Sequence, residues 1–503
     1  MNRRRVYAMA AAIAALGLSA AGEPPLVSSR SFYVRAQSGS RVHWHPWDEA
    51  SLAQARASGK SIYVLVGSEI SELTRSTTTE IFTRPETAAW LNENFFCIFV
   101  DGDTQPEVAA YAQHFINAAR QLRGWPVHLW LTPDLRPYDG ANYLPPTEEW
   151  GRPGFLKSAR AALEAWTADR ERAYAMAEEA RGMMQAGAPA GAPADAAARL
   201  NQAAAAWVAA ADAANGGFGG APKMPEPELV RFLLNRGPEA RAAAMASAHA
   251  WVRGALRLPV GGYYRRTIDA EWKQPYMQKL MIDQPRMALA LREAAAAGDE
   301  TLRSHADDAL RFALMMRYPS GIFSMAADNT DPQPEMHRAA GHAAAVAEGL
   351  LIAALVESGD SGLEAEGRKL AALWTDRVKT AGAAGLKHDP VVGEPATAAD
   401  LLGLALGLRA AGEAGVADRL IAAAVDKFFD PATGLFMASP ATLPTGITVR
   451  APALPEPYSV EALAVLAGAK GEVAEKLRRS LLAQIEYDDR PPGAVLLALA
   501  AGE

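Results

Sequence analysis

Between Val42 and about Ala165, short and almost continuously apolar runs alternate with longer stretches in which apolar residues recur every third or fourth position. Ser61-Ile62-Tyr63-Val64-Leu65-Val66, Phe95-Phe96-Cys97-Ile98-Phe99-Val100 and Val127-His128-Leu129-Trp130-Leu131 are of the first kind, which predicts buried strands. The second kind predicts helices over Trp47–Ser58, Arg84–Asn94, Gln105–Ala119 and Pro153–Ala168, so strands and helices alternate as in an α/β layer. Ala186-Gly187-Ala188-Pro189-Ala190-Gly191-Ala192-Pro193 is too rich in helix breakers for a helix interior and reads as a linker. Beyond about Asp195 the strand signal nearly vanishes. Helical stretches rich in alanine and leucine recur at about 196–213, 226–236, 238–256, 280–297, 300–316, 338–358, 361–380, 397–412, 415–428, 458–469, 471–487 and 491–501. About twelve helices with no fixed sequence period predict paired hairpins closed into a toroid rather than an open superhelix.

The first residues add a targeting pattern. Arg3, Arg4 and Arg5 precede an apolar run from Val6 to Leu18 and then Ser19-Ala20-Ala21, the signature of an export signal cleaved after Ala21. The run is shorter than the roughly 20 residues of a membrane-spanning helix, and an uncleaved anchor is the alternative reading. A periplasmic or secreted protein with no stable membrane insertion is expected. The 503 residues are 50% hydrophobic and 21% charged, enough apolar content for two cores. Lysine plus arginine is 50 against 57 for aspartate plus glutamate, so the chain offers no basic surface to a nucleic acid. A single cysteine, Cys97, excludes an internal disulfide, a Cys-x-x-Cys redox pair and a zinc site of several thiolates, and no cofactor is implied.

Several blocks together resemble the family of spermatogenesis-associated protein 20. They are Val42-His43-Trp44-His45-Pro46-Trp47, Asn92 to Asp101, Gly124-Trp125-Pro126 to Asp134, Gly151-Arg152-Pro153-Gly154-Phe155-Leu156, Gly216-Gly217-Phe218-Gly219-Gly220-Ala221-Pro222-Lys223-Met224-Pro225, and Gly261 to Trp272. The resemblance implies an α/β thioredoxin-like domain followed by an all-α (α/α)6 toroid of the six-hairpin, glycosidase-like kind. The organisation expected is a signal peptide at 1–21, an N-terminal extension at 22–41, the thioredoxin-like domain at 42–185, a linker at 186–194 and the toroid at 195–503. Two departures limit what the resemblance brings. Where the family carries Cys-His-Trp-Cys-His, the same register, set by Gly67 and Phe82, reads Ser71-Glu72-Leu73-Thr74-Arg75. Thiol-disulfide exchange needs a thiolate and a resolving thiol, so oxidoreductase activity is not expected. Pro126 matches the family's proline, which implies a cis bond that shapes the loop or presents the Trp125 backbone. Where the family reads Val-Pro-His-Phe-Glu-Lys-Met-Leu-Tyr-Asp-Asn, this chain reads Gln274 to Gln284, keeping Lys279 and Asp283 but not the histidine or glutamate.

Asp269 and Glu271 lie two apart beside Tyr263, Tyr264, Arg266 and Trp272, the mixture of carboxylates and aromatic faces that a sugar site uses. The competing reading is a loop packed over the toroid with Trp272 in the core. Asp269, Glu271, Trp272, Lys279 and Asp283 are expected to converge at one mouth of the toroid, with Asp269, Glu271 and Asp283 as candidate acid-base groups. His43 and His45 alternate as two metal ligands would, but no further ligand is near in sequence, and packing is the plainer reading. Ser71 and Thr74 lack a neighbouring histidine that would make a nucleophile of either hydroxyl. The function expected is binding or scaffolding toward a carbohydrate or polypeptide, with a glycoside hydrolase or sugar epimerase as the enzymatic alternative.

Overall fold

The structure is a computed structural model and describes residues 26, 27, 29, 31–149, 151–185, 195–327, 343–388, 393, 395–437, 471–486, 488 and 490–501. The expected signal segment, the linker and the helix over 458–469 lie outside the described residues.

After a short helix α1 (Phe32–Ala36), the first domain runs β1 (Trp44–Pro46), α2 (Glu49–Ser58), β2 (Ser61–Gly67), α3 (Glu72–Ser76), α4 (Pro85–Asn94), β3 (Phe95–Asp101), α5 (Pro106–Arg120), β4 (Val127–Leu131), β5 (Pro137–Ala141), α6 (Phe155–Ala168) and α7 (Arg170–Gln185). The sheet order is β1-β3-β2-β4-β5, with β1 and β2 parallel to β3 and the last two strands antiparallel. This is the thioredoxin-like arrangement. Strand alternation sends Tyr63, Leu65, Phe95, Cys97, Phe99 and Trp130 to one face, where they pack with Phe82 and Phe155. Ile62, Val64, Val66, Ile98, Val100 and Leu129 go to the other, beneath α2 and α5. Helix α2 starts at Glu49 rather than Trp47 because the Asp48 carboxylate accepts from Ser51 N at 2.7 Å, a side-chain cap.

Three elements escape the apolar pattern. Strand β1 is only three residues long, and β5 contains Pro137 and Gly140, which an edge strand tolerates. Helix α7 is rich in charge, yet it buries Ala173, Ala177, Ala180 and Met184, a stripe of small residues at helical spacing.

The second domain contains α8 (Ala196–Ala209), α9 (Pro227–Leu233), α10 (Pro238–Arg253), α11 (Asp283–Ala296), α12 (Leu302–Met315), α13 (Ala345–Val356), α14 (Ser361–Ala381), α15 (Ala398–Ala410), α16 (Ala414–Phe428), α17 (Glu472–Ile485) and α18 (Gly493–Ala500). Helices α9, α11, α13, α15 and α18 are buried on most faces and form an inner ring, while amphipathic α10, α12, α14, α16 and α17 lie outside. Along the ring α9 packs on α11, α11 on α13 and α13 on α15, and α18 packs on α9. Glycine permits the α9–α18 contact, because a Cβ at Gly493 would collide with the Leu229 backbone. The α13–α15 contact is equally tight, with a Cβ at Gly349 only 2.2 Å from Gly403 O. Among the described residues no helix is long and apolar enough to cross a membrane.

Candidate functional site

The loop at the expected redox register is a hydrogen-bonded cap. Ser71 is the N-cap of α3, its hydroxyl accepting from Thr74 N at 3.3 Å. Thr74 is fully buried beside Gly67, and its hydroxyl has no partner among the described residues. Ser68 Oγ donates to Asp103 at 2.7 Å, and the Trp125 ring lies against Gly102. The Trp125–Pro126 bond is cis. Cys97 is buried in β3, where desolvation pushes its thiol well up, away from the reactive thiolate. His45 bonds Cys97 O at 3.2 Å and stacks on Phe96, and His43 N donates to Asn92. Among the described residues no three His, Cys, Asp or Glu side chains gather as a metal site.

The glycine-rich block of the second domain is a buried clasp. Lys223, with no exposed surface, donates to Asp212 at 2.5 Å and Gly216 O at 2.9 Å, and its ammonium lies 5.5 Å from the centre of the Trp272 ring. Trp272 Nε1 donates to the same Gly216 carbonyl at 3.2 Å.

This corrects the expected convergence of five side chains. Trp272 is a core residue and offers no face to a ligand. Asp269 closes its own turn, accepting from the backbone N–H of Glu271 at 2.8 Å, of Lys273 at 3.0 Å and of Gln274. Burial pushes its carboxyl up, but those donors together hold it below the ordinary range, so it is an anchored anion rather than a proton carrier. Glu271 is exposed beside it. Tyr263 is fully buried, and its backbone is gripped by Gln284, which accepts from Tyr263 N at 2.8 Å and donates to Tyr263 O at 2.9 Å. Arg266 lies over the Tyr276 ring at 4.5 Å, on the two-stranded ribbon of β6 (Arg266–Thr267) and β7 (Pro275–Tyr276).

Asp283 and Lys279 belong to a different constellation. The inner helices begin at one end of the ring, and neighbouring first turns are bonded to each other. Val346 N of α13 donates to Asp400 of α15 at 3.1 Å, and Arg286 of α11 reaches Glu228 of α9. The arginine is bidentate on Glu228 at 2.7 and 2.6 Å and also donates to Asp283 Oδ1 at 3.0 Å. All three side chains are nearly buried, and Asp283 Oδ2 has no hydrogen-bond partner among the described residues. Burial raises the Asp283 carboxyl, with Arg286 and Arg265 opposing. Burial also lifts Glu226, one residue before α9, to about 7, against the pull of Arg286. Lys279 lies 5.6 Å from the centre of the half-buried Tyr264 ring. Glu226, Glu228 and Arg286 were not singled out from the sequence. Their trace there is two carboxylates flanking Pro227 at a helix start and the i,i+3 pair of Asp283 and Arg286.

The mouth faces the first domain. Gln278 Nε2 donates to Ile70 O, Tyr276 is hydrogen-bonded to Glu72, and His388 Nε2 lies 3.0 Å from Asp103 O.

The chain is similar to several known proteins. The sugar epimerase of a ruminal bacterium is 15% identical with a TM-score of 0.45, covering 58% of this chain and 86% of that one. Cellobiose 2-epimerase of Bacillus thermoamylovorans is 11% identical with a TM-score of 0.46, covering 61% and 98%. Spermatogenesis-associated protein 20 of Mus musculus is 27% identical over 327 residues, and that of Homo sapiens 28% over the same length, each covering 62% of this chain. The chain spans only 41% and 42% of those two relatives. Residues 24–185 match the Thioredox_DsbH family, described as a protein of unknown function, DUF255. The sheet order and the cis proline agree with the match of residues 24–185 to that thioredoxin-like family, and over 62% of its length the chain is similar to spermatogenesis-associated protein 20.

Proposed function

We propose that this is an exported, redox-inactive protein whose toroid mouth binds a carbohydrate. The observation that supports the reading is the half-used carboxylate of Asp283, with Oδ1 on Arg286 and Oδ2 buried without a partner. A buried acceptor left unpaired costs about 1–3 kcal/mol, and a ligand hydroxyl that donates to it recovers that cost. Arg286 supplies a cationic donor beside it, and the half-buried Tyr264 ring, with the Lys279 ammonium 5.6 Å from its centre, is an aromatic face in the same domain for the apolar side of a pyranose. Binding is favoured over turnover because Glu228 is locked on Arg286 and Asp269 is engaged by its own loop.

A glycan array followed by calorimetry on the full chain tests this. Asp283→Asn should weaken the best glycan by about tenfold, the loss of one charge-assisted hydrogen bond. Absence of glycan binding by the native protein overturns the reading, and a new sugar product in proton NMR replaces it with the enzymatic one. Mass spectrometry of the exported protein tests cleavage after Ala21.

A further inference from the structure

Among the described residues three hydrogen bonds cross between the domains, and the one made by His388 differs in kind. Its Nε2 lies 3.0 Å from Asp103 O while its Nδ1 lies 2.6 Å from Asp400 Oδ2. Asp400 is fully buried and is fixed as an acceptor, because it also takes hydrogen bonds from Thr397 N at 2.9 Å, Thr397 Oγ1 at 2.8 Å and Val346 N at 3.1 Å. A backbone carbonyl accepts and never donates. Both ring nitrogens of His388 therefore face acceptors, and only the imidazolium carries two N–H donors. We propose that His388 is a proton-dependent latch that holds the thioredoxin-like domain over the toroid mouth, closed when the ring carries both protons and released when it loses one.

The other carboxylates around the latch have partners of their own. From α13, Ala345 N donates to His388 O at 2.9 Å, and the carboxylate of that helix, Glu348, accepts from Trp374 Nε1 at 2.8 Å. Lys387 precedes the histidine on its own segment. From the loop after β3 come Asp101, which accepts from Ser31 Oγ at 2.6 Å and Thr104 Oγ1 at 3.0 Å, and Asp103, which accepts from Ser68 Oγ and, at 3.2 Å, from Glu69 N. Burial and then the charge of Asp101 push the Asp103 carboxyl up to about 7.

The test uses the full chain and no ligand. Glu86→Cys and Lys369→Cys place a nitroxide on each domain at exposed positions, while Cys97 is buried. Pulsed electron spin distance measurements from about pH 5.5 to about 9 bracket the histidine range. One short distance is expected at acidic pH, with a longer population whose ratio to it rises by up to about tenfold per pH unit, the limit for one coupled proton. His388→Gln, which keeps only one donating group, should abolish that rise, and Asp103→Asn, which keeps the carbonyl, should retain most of it. An unchanged distance distribution across the pH range in the protein with native His388 overturns the proposal. So does a pH response in His388→Gln equal to that of the native residue.

Discussion

In the thioredoxin-like domain, the loop that carried the family's cysteines now meets most of its own hydrogen-bonding needs: Ser71 caps α3, and Ser68 and Glu69 N hold Asp103. At the toroid mouth the polar groups are also buried, but they are charged, and Asp283 Oδ2 has no hydrogen-bond partner among the described residues. The contrast is between hydroxyls satisfied within one loop and charges that leave a buried acceptor unpaired. Small hydroxyls can be satisfied by a neighbouring turn, whereas a buried arginine with three acidic groups around it is retained at a cost in desolvation.

The largest expected effect tests whether that charge cluster is one unit. Glu228→Ala removes the bidentate partner of the nearly buried Arg286, and should destabilise the toroid by about 3–5 kcal/mol, as breaking a buried ion pair does. Urea unfolding measures it. A loss below about 1 kcal/mol would mean that Arg286 reaches water and that the mouth is no more constrained than a surface.

A smaller effect concerns proton binding at the same place. In the folded protein Glu226 titrates at about 7, above the ordinary glutamate range near 4.5. Between those values the folded state holds a proton that the unfolded state has released, so stability is greatest below about 4.5 and falls as pH rises to about 7. The slope for this group is at most about 1.4 kcal/mol per pH unit. Unfolding midpoints at several pH values should flatten in Glu226→Gln, and an unaltered slope in that variant would mean that the glutamate is solvated.

The sequence made these two regions unequally legible. The sheet followed from Ile62 to Val66 and Phe95 to Val100, because a strand buried on both faces must be apolar throughout, and the ring followed from helices that are apolar all round. That Ser71 and Thr74 carry no thiol needed only residue identities. The mouth was harder, since Glu228 and Arg286 lie 58 positions apart and meet only when α9 and α11 pack side by side. Asp269, Glu271 and Trp272 looked more chemical because they are close in sequence, but a turn that bonds its own backbone and a tryptophan over a buried lysine carry the same residue types. Composition could not tell an anchored carboxylate from an open one.

The smallest effect sharpens the comparison at its weakest point. Thr74 departs from the otherwise satisfied loop, because its hydroxyl is fully buried with no partner among the described residues while its methyl packs beside Gly67. Thr74→Val removes the hydroxyl and keeps the branched shape, so a closed and vestigial site should become more stable, by about 1 kcal/mol or less. At the mouth the analogous change, Asp283→Leu, should instead destabilise, because it strips Arg286 of a partner. Thermal unfolding of both variants decides the matter. If Thr74→Val destabilises by more than about 1 kcal/mol, that hydroxyl has a partner in solution, and the old redox loop is still a polar binding surface rather than a sealed one.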